Sequence, residues 1–154
     1  MDKKELAVAA LKNGTVIDHI PSETLFKVVK ILGLEEIPNM VTISKNLDSK
    51  RLGKKGIIKV ADIEFDTAVI DRIALIAPTA VVNVIRDYEV VDKHPVKLPT
   101  KVVNIVRCSN PKCITNNEPM QTRFTVMSGD GERETVLRCD YCNHAIGARK
   151  AQIK

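Results

Sequence analysis

Apolar positions in the first part of the chain follow two different periods. Thr15-Val16-Ile17-Asp18-His19-Ile20 is β-branched and roughly alternating, which predicts a strand behind the Asn13-Gly14 turn signal, with residues 6–11 as a possible partner. Ser22 offers an N-cap. Beyond it Leu25, Val28, Val29 and Leu32 recur at the spacing of one helix face, and Gly33 can end that helix. Residues 40–47 and 56–63 read as strands joined through a polar, basic loop. Asp66 can cap a second helix carrying Val69, Ile70, Ile73, Leu75 and Ile76, which Pro78 stops. Residues 79–85, rich in Val and Ile, form the next strand, and residues 88–91 a short further one.

The order is β-α-β-β-α-β plus an extra strand, that of a ferredoxin-like α/β sandwich in which two helices cover one face of an antiparallel sheet. Beyond it the pattern changes to short strands only, at residues 102–107, 121–127 and 134–138, with Ser128-Gly129-Asp130-Gly131 as a turn. Between the halves runs His94-Pro95-Val96-Lys97-Leu98-Pro99-Thr100, whose two prolines favour an extended, semi-rigid connection. The fold class is therefore α+β: a sandwich over residues 1–98, followed by a small all-β domain over residues 99–154. About 55 residues bury little apolar surface, and domains of that size often depend on a metal or on disulfides.

All four cysteines fall in this second part, as Cys108-x4-Cys113, 25 intervening residues, and Cys139-x2-Cys142. Two close pairs brought together by a hairpin can present four thiolates in a tetrahedron, the preferred arrangement of structural Zn²⁺. Four protein ligands leave no position for a catalytic water, so the expected role is folding. Two disulfides would require an oxidising compartment, and nothing at the N-terminus reads as a signal peptide. Iron in the same cage, and a redox pair from Cys139 and Cys142 alone, are further readings of the spacing. His144 stands beside the last pair as a conceivable substitute ligand and reads more simply as a surface side chain.

Charge and composition narrow the partners. With 24 basic against 19 acidic residues the excess is +5, spread along the chain, which suits anionic ligands without naming one and also serves solubility. Tyr88, Tyr141, Phe26, Phe65 and Phe124 are the only aromatics, too few for a surface that stacks successive bases. No apolar run approaches the ~20 residues of a membrane helix, so a soluble, cytoplasmic chain is expected. There is no Gly-x-x-x-x-Gly-Lys phosphate loop, and no nucleophile or metal cluster accompanies Asp18 and His19, so a nucleotide-processing enzyme finds little support.

Asp18 and His19 stand side by side near the end of the first strand, with Lys59 and Lys93 on two others. Lysines can neutralise phosphates, His19 can donate to a phosphate oxygen, and Asp18 can accept from ribose hydroxyls. From spacing alone the same residues also read as solvated lysines and a satisfied histidine.

Gly14-Thr15-Val16-Ile17-Asp18-His19-Ile20-Pro21, Ala80-Val81-Val82-Asn83-Val84-Ile85 with Tyr88-Glu89-Val90-Val91, and the cysteine spacing together resemble the aspartate carbamoyltransferase regulatory chain, in the same order, from about residue 5 to about residue 145. That resemblance implies a non-catalytic subunit of a pyrimidine-biosynthesis enzyme. Its N-terminal allosteric domain would bind CTP, ATP or UTP, and its zinc domain would contact the catalytic chain. It implies effector contacts from Asp18, His19, Lys59 and Lys93, with Ala10, Leu11, Val16, Asn83, Ile85, Tyr88 and Val90 lining the pocket. Lys93 and His19 would face phosphates, Asp18 and Lys59 the ribose, and backbone groups near Leu11 and Tyr88 the base. It further implies a homodimer of regulatory chains bridging catalytic trimers in a heterododecamer. Lys112 and Asp140 depart from the family pattern of Asn and Lys, which bears on the interface, and residues after about Gly147 resemble it poorly. The competing reading is a nucleic-acid-binding zinc ribbon, against which stand the sparse aromatics and the acids Asp130, Glu132, Glu134 and Asp140 near the cysteines.

Overall fold

The computed structural model describes residues 11–127 and 135–154. Five strands, β1 (Gly14–Pro21), β2 (Val41–Ser49), β3 (Gly53–Ala61), β4 (Val81–Arg86) and β5 (Glu89–Pro95), form one antiparallel sheet in the order β2-β3-β1-β4-β5. This is the split β-α-β arrangement expected, with β5 added outside β4. Helices α1 (Leu25–Ile31) and α2 (Thr67–Asp71) follow β1 and β3. Ile58, Ile17 and Val82 stand opposite one another across β3, β1 and β4, and with Leu25, Val28, Ile70 and Ile73 they form the buried core. One face of the sheet therefore belongs to the helices.

Two glycines set how closely the layers approach. A Cβ at Gly56 would lie 2.7 Å from Leu25 Cδ1, so α1 sits directly against β3 there. Gly14 has φ +142, and a Cβ on it would meet the Val60 carbonyl oxygen at 2.1 Å. Gly33, at φ +65, ends the helical stretch as expected. The chain enters α1 through a 3-10 turn, Ser22–Thr24, and Ser22 Oγ accepts the Asn46 N–H (3.2 Å) instead of capping the helix. The second helix is shorter than its apolar stripe suggests. After Asp71 it tightens into a 3-10 turn, Arg72–Leu75, consistent with a β-branched run of modest helix propensity.

The second part contains β6 (Lys101–Val103), β7 (Val106–Arg107), a single helical turn α3 (Ile114–Asn117), β8 (Arg123–Met127), β9 (Val136–Cys139), β10 (Ala145–Gly147) and β11 (Gln152–Ile153). Strands β10-β9-β8-β6 make one sheet and β7 pairs with β11. The single strand expected at 102–107 is broken: Asn104 adopts φ +57 and donates its N–H to the Thr122 carbonyl (2.9 Å), turning the chain so that β7 faces β11. The turn expected at 128–131 and nearly all of the strand expected at 6–11 lie outside the described residues.

The proline-containing connection is tied down. Val96 N–H donates to the Ala80 carbonyl (3.2 Å) and Lys97 N–H to Asp71 Oδ1 (3.0 Å). The end of the chain joins the two parts: Lys27 Nζ donates to the Arg149 carbonyl (2.8 Å) and Lys30 Nζ to the Ile153 carbonyl (3.0 Å), while Ala148, Ala151 and Ile153 are buried in the shared core. Among the described residues no helix is long and apolar enough to cross a membrane.

Candidate metal centre and ligand-binding face

The four cysteines come from the end of β7, the start of α3, the end of β9 and the turn before β10. Their Sγ atoms lie within 4.8 Å of one another, with Cys108–Cys142 at 3.6 Å and Cys113–Cys139 at 3.7 Å. A regular tetrahedron with metal–sulfur bonds of about 2.3 Å has edges of about 3.8 Å, so the cage fits a tetrahedral thiolate-bound ion. All four cysteines are free of disulfides, and His144 is exposed and outside the cluster. The cage is braced from behind. The Cys139 N–H donates to the His144 carbonyl (2.9 Å), Asn116 Nδ2 to the Cys108 carbonyl (2.9 Å), and the buried Thr115 Oγ1 lies 3.1 Å from Cys113 Sγ.

Burial pushes the Cys108 thiol up to about 12 and raises Cys139 as well. Burial also works to raise Cys142, but the His144 N–H, the Asn110 side chain and the neighbouring thiols outweigh it and bring that group down to about 7. A cation is what lets such a crowded set shed its protons together.

The face of the sheet opposite α1 and α2, which carries no helix among the described residues, holds the other candidate residues. Lys59 stands opposite Val16, Val16 opposite Asn83, and Asn83 opposite Lys93, so these four form one row across β3, β1, β4 and β5. Directly paired residues share a face. One row further on, Ala61, Gly14, Ile85 and Val90 are paired in the same way. Leu11, Val16, Ile57 and Ile85 make a small apolar floor separate from the main core. Tyr88 occupies the β4–β5 turn with its ring exposed, and its N–H donates to the Lys12 carbonyl (2.9 Å). Ala10 lies outside the described residues.

Asp18 and His19 occupy the opposite end of β1. Asp18 Oδ1 accepts the His19 N–H (2.6 Å) and lies 2.9 Å from Lys55 Nζ. Burial holds the His19 imidazole below its ordinary value; Asp18 opposes the shift, while Lys55, Arg51 and Lys93 reinforce it. Its Nδ1 is buried and has no hydrogen-bond partner among the described residues. Burial also lowers the Lys59 ammonium. Register thus puts Lys59, Val16, Asn83, Lys93, Ile85 and Val90 on one face, with Leu11 packed against Val16 and Ile85, Asp18 and His19 at one end of β1 and Tyr88 in the β4–β5 turn. From Gly14 to His19 the strand rise gives about 16 Å.

The sequence reading missed Lys55, Arg51 and Thr79, which cluster around His19. Lys55 was within reach, since Lys55, Ile57 and Lys59 alternate along one strand. Asp140, noted as a departure, is engaged within the chain: Oδ1 accepts from Thr125 Oγ1 (2.6 Å) and Oδ2 lies 2.9 Å from Lys101 Nζ, and these bonds hold the carboxyl below its ordinary value.

Two family models cover almost the whole chain. The aspartate carbamoyltransferase regulatory chain, allosteric domain, matches residues 6–97, and the metal binding domain of the same chain matches residues 100–152. The match thus continues beyond Gly147, where the sequence reading had found little. An aspartate carbamoyltransferase regulatory chain of Bacteroides fragilis is 58% identical over 141 residues, 92% of this chain and 90% of the relative. That of Parabacteroides distasonis is 53% identical over 152 residues, covering 99% and 97%. That of Pyrococcus horikoshii is 44% identical over 144 residues, covering 92% and 93%. With both halves matching one family, a nucleic-acid-binding zinc ribbon is not favoured. The chain belongs to the aspartate carbamoyltransferase regulatory chain family, as a non-catalytic subunit with an allosteric and a metal-binding domain.

Proposed function

We propose that the chain binds CTP, ATP and UTP in competition on the sheet face opposite α1 and α2 in residues 1–98, and that residues 99–154 hold one Zn²⁺ through Cys108, Cys113, Cys139 and Cys142 and dock on the catalytic chain. The observation that carries the effector reading is the cross-strand row of Lys59, Val16, Asn83 and Lys93, flanked by Asp18 and His19 at one end and an apolar floor at the other. An extended nucleotide fits such polarity, with the base at Leu11, Ile85 and Tyr88, ribose between Asp18 and Lys59, and phosphates at His19 and Lys93. Two chains would pair within a heterododecamer acting in the cytoplasm. Strand β2 supports a pairing surface, because it is an outer strand carrying the exposed Ile43, with exposed Met40 just before it.

Regulation follows from linkage. An effector changes substrate affinity only as far as it discriminates between quaternary states, and such couplings are typically ~1–3 kcal/mol. The site is tested by calorimetric titration of the metal-loaded chain with CTP and with cytidine. Lys93→Ala should weaken CTP about tenfold and cytidine far less, since the ammonium meets phosphate charge. Equal losses for the two ligands would remove Lys93 from the phosphate end. The subunit role is tested by assaying carbamoyl transfer to aspartate by the co-purified assembly with and without CTP and ATP; a rate indifferent to both would overturn it.

A further inference from the structure

His19 is the only non-glycine residue of β1 with a left-handed backbone, at φ +57. At this point the pairing of β1 with β3 slips, jumping from Ile17 opposite Ile58 to Ile20 opposite Gly56, while pairing with β4 ends at Asp18 opposite Val81. A non-glycine residue seldom adopts that conformation inside a strand, and it persists where neighbouring groups hold it. Both of its backbone polar groups are bound by side chains. The N–H donates to Asp18 Oδ1 (2.6 Å), and the carbonyl accepts from Thr79 Oγ1 (2.7 Å). Thr79 reaches it from the segment between Pro78 and β4, sixty positions along the chain.

We infer that Thr79 is a positioning residue for effector binding: its hydroxyl locks the left-handed bulge at His19 and so holds the imidazole at the phosphate end of the site. The inference rests on the reading of the sheet face opposite α1 and α2 as the effector site. Without the hydroxyl, the His19 carbonyl loses its partner and the residue can relax to an extended conformation. In a strand of period two, removing a one-residue bulge turns the following side chains to the opposite face. The groups that face His19 are Asp18 on its own strand, Lys55 on β3, Arg51 in the β2–β3 turn and Lys93 on β5. Three of these are cations and Asp18 is the one anion, paired to Lys55 (2.9 Å), so an imidazole held here lies beside the positive charge a phosphate would meet. Thr79 itself needs no contact with ligand.

The experiment titrates the full-length, metal-loaded chain with CTP and with cytidine, for the parent, Thr79→Val, Thr79→Ala, Thr79→Ser, His19→Gln and the Thr79→Val/His19→Gln pair. Thr79→Val should weaken CTP about tenfold, as for a hydrogen bond that orders a charge-binding group, and cytidine little. Thr79→Ser should restore binding, and the double variant should be no worse than His19→Gln alone. The imidazole titration of His19, followed by NMR, should move toward its ordinary value in Thr79→Val and return in Thr79→Ser. Should the valine variant fail to fold, the alanine variant carries the same comparison. Full CTP affinity in Thr79→Val or Thr79→Ala while His19→Gln loses it would overturn the inference and leave the effector site standing. Equal loss of CTP and cytidine that serine does not restore would reduce Thr79 to a structural role and also overturn it. Unchanged CTP affinity in His19→Gln would bring down the site reading itself, and the inference with it.

Discussion

The chemistry of the proposed effector site turns on His19, whose surroundings hold its imidazole below the ordinary value of 6.5, burial first and the cations Lys55, Arg51 and Lys93 after it. A base depressed in this way binds its proton more readily in the unfolded chain, so without ligand the protein should lose stability as pH falls through 6.5. A phosphate beside the ring reverses the local field and favours the imidazolium. CTP binding should therefore take up a proton near neutral pH, and affinity should strengthen as pH falls from about 8 toward about 6 until the phosphate itself protonates. Calorimetry in buffers of different ionisation enthalpy measures that uptake directly. Zero uptake, with affinity flat across the range, would place His19 away from the phosphates. Its Nδ1, buried and without a hydrogen-bond partner among the described residues, leaves a ring position open to a ligand.

At the level of elements, the strands and the first helix could be read from composition, period and punctuation, because β1 is a β-branched run behind the Asn13-Gly14 turn, α1 carries an i, i+3, i+4, i+7 stripe, and Gly33 supplies the left-handed stop. The face of each site residue was harder to read. Val90 and Lys93 are an odd number of positions apart, so simple alternation puts them on opposite faces; the bulge between Val84 and Ile85 brings both to the side opposite α1 and α2. The row from Lys59 to Lys93 depends on register, a tertiary fact no local pattern carries. Strand β11 escaped notice because two residues have no period at all. Gly14 could be recognised as a turn signal, but its close approach to Val60 could not. Gly14→Ala should destabilise the chain by about 3 kcal/mol, since φ +142 excludes a side chain and the Cβ strikes a backbone oxygen at 2.1 Å. Urea unfolding measures the cost, and a loss below about 0.5 kcal/mol would mean that the β1–β3 pairing shifts freely at this end.

For the whole molecule, placement suggests that the two halves fail separately on metal loss, since every cysteine follows the proline-containing connection while Asp18, His19, Lys59 and Lys93 precede it. The structure adds a tie between them. The cage fixes β7 through Cys108, β7 pairs with β11, and the carbonyls of that terminal segment accept the ammonium groups of Lys27 and Lys30 on α1. Structural zinc contributes an apparent ~10–16 kcal/mol in small domains, comparable to the entire ~5–15 kcal/mol stability of an ordinary domain, so its removal should unfold the second half. Contact with the catalytic chain should go with it. Helix α1 would then lose its cover, and amide exchange along Leu25–Ile31 should quicken. The proposed effector face lies on the other side of the sheet, where Val16, Ile57 and Ile85 form a floor separate from the core that α1 packs against, so CTP affinity should fall by no more than about threefold. Treating the assembled enzyme with a mercurial and a chelator, then following complex size, CTP affinity and α1 exchange together, separates the possibilities. An intact complex after proven metal loss would remove the cage from assembly. A collapse of CTP affinity would show that the floor depends on the helix layer after all, and unchanged exchange at α1 would show that the terminal strand stays docked without its metal-bound partner.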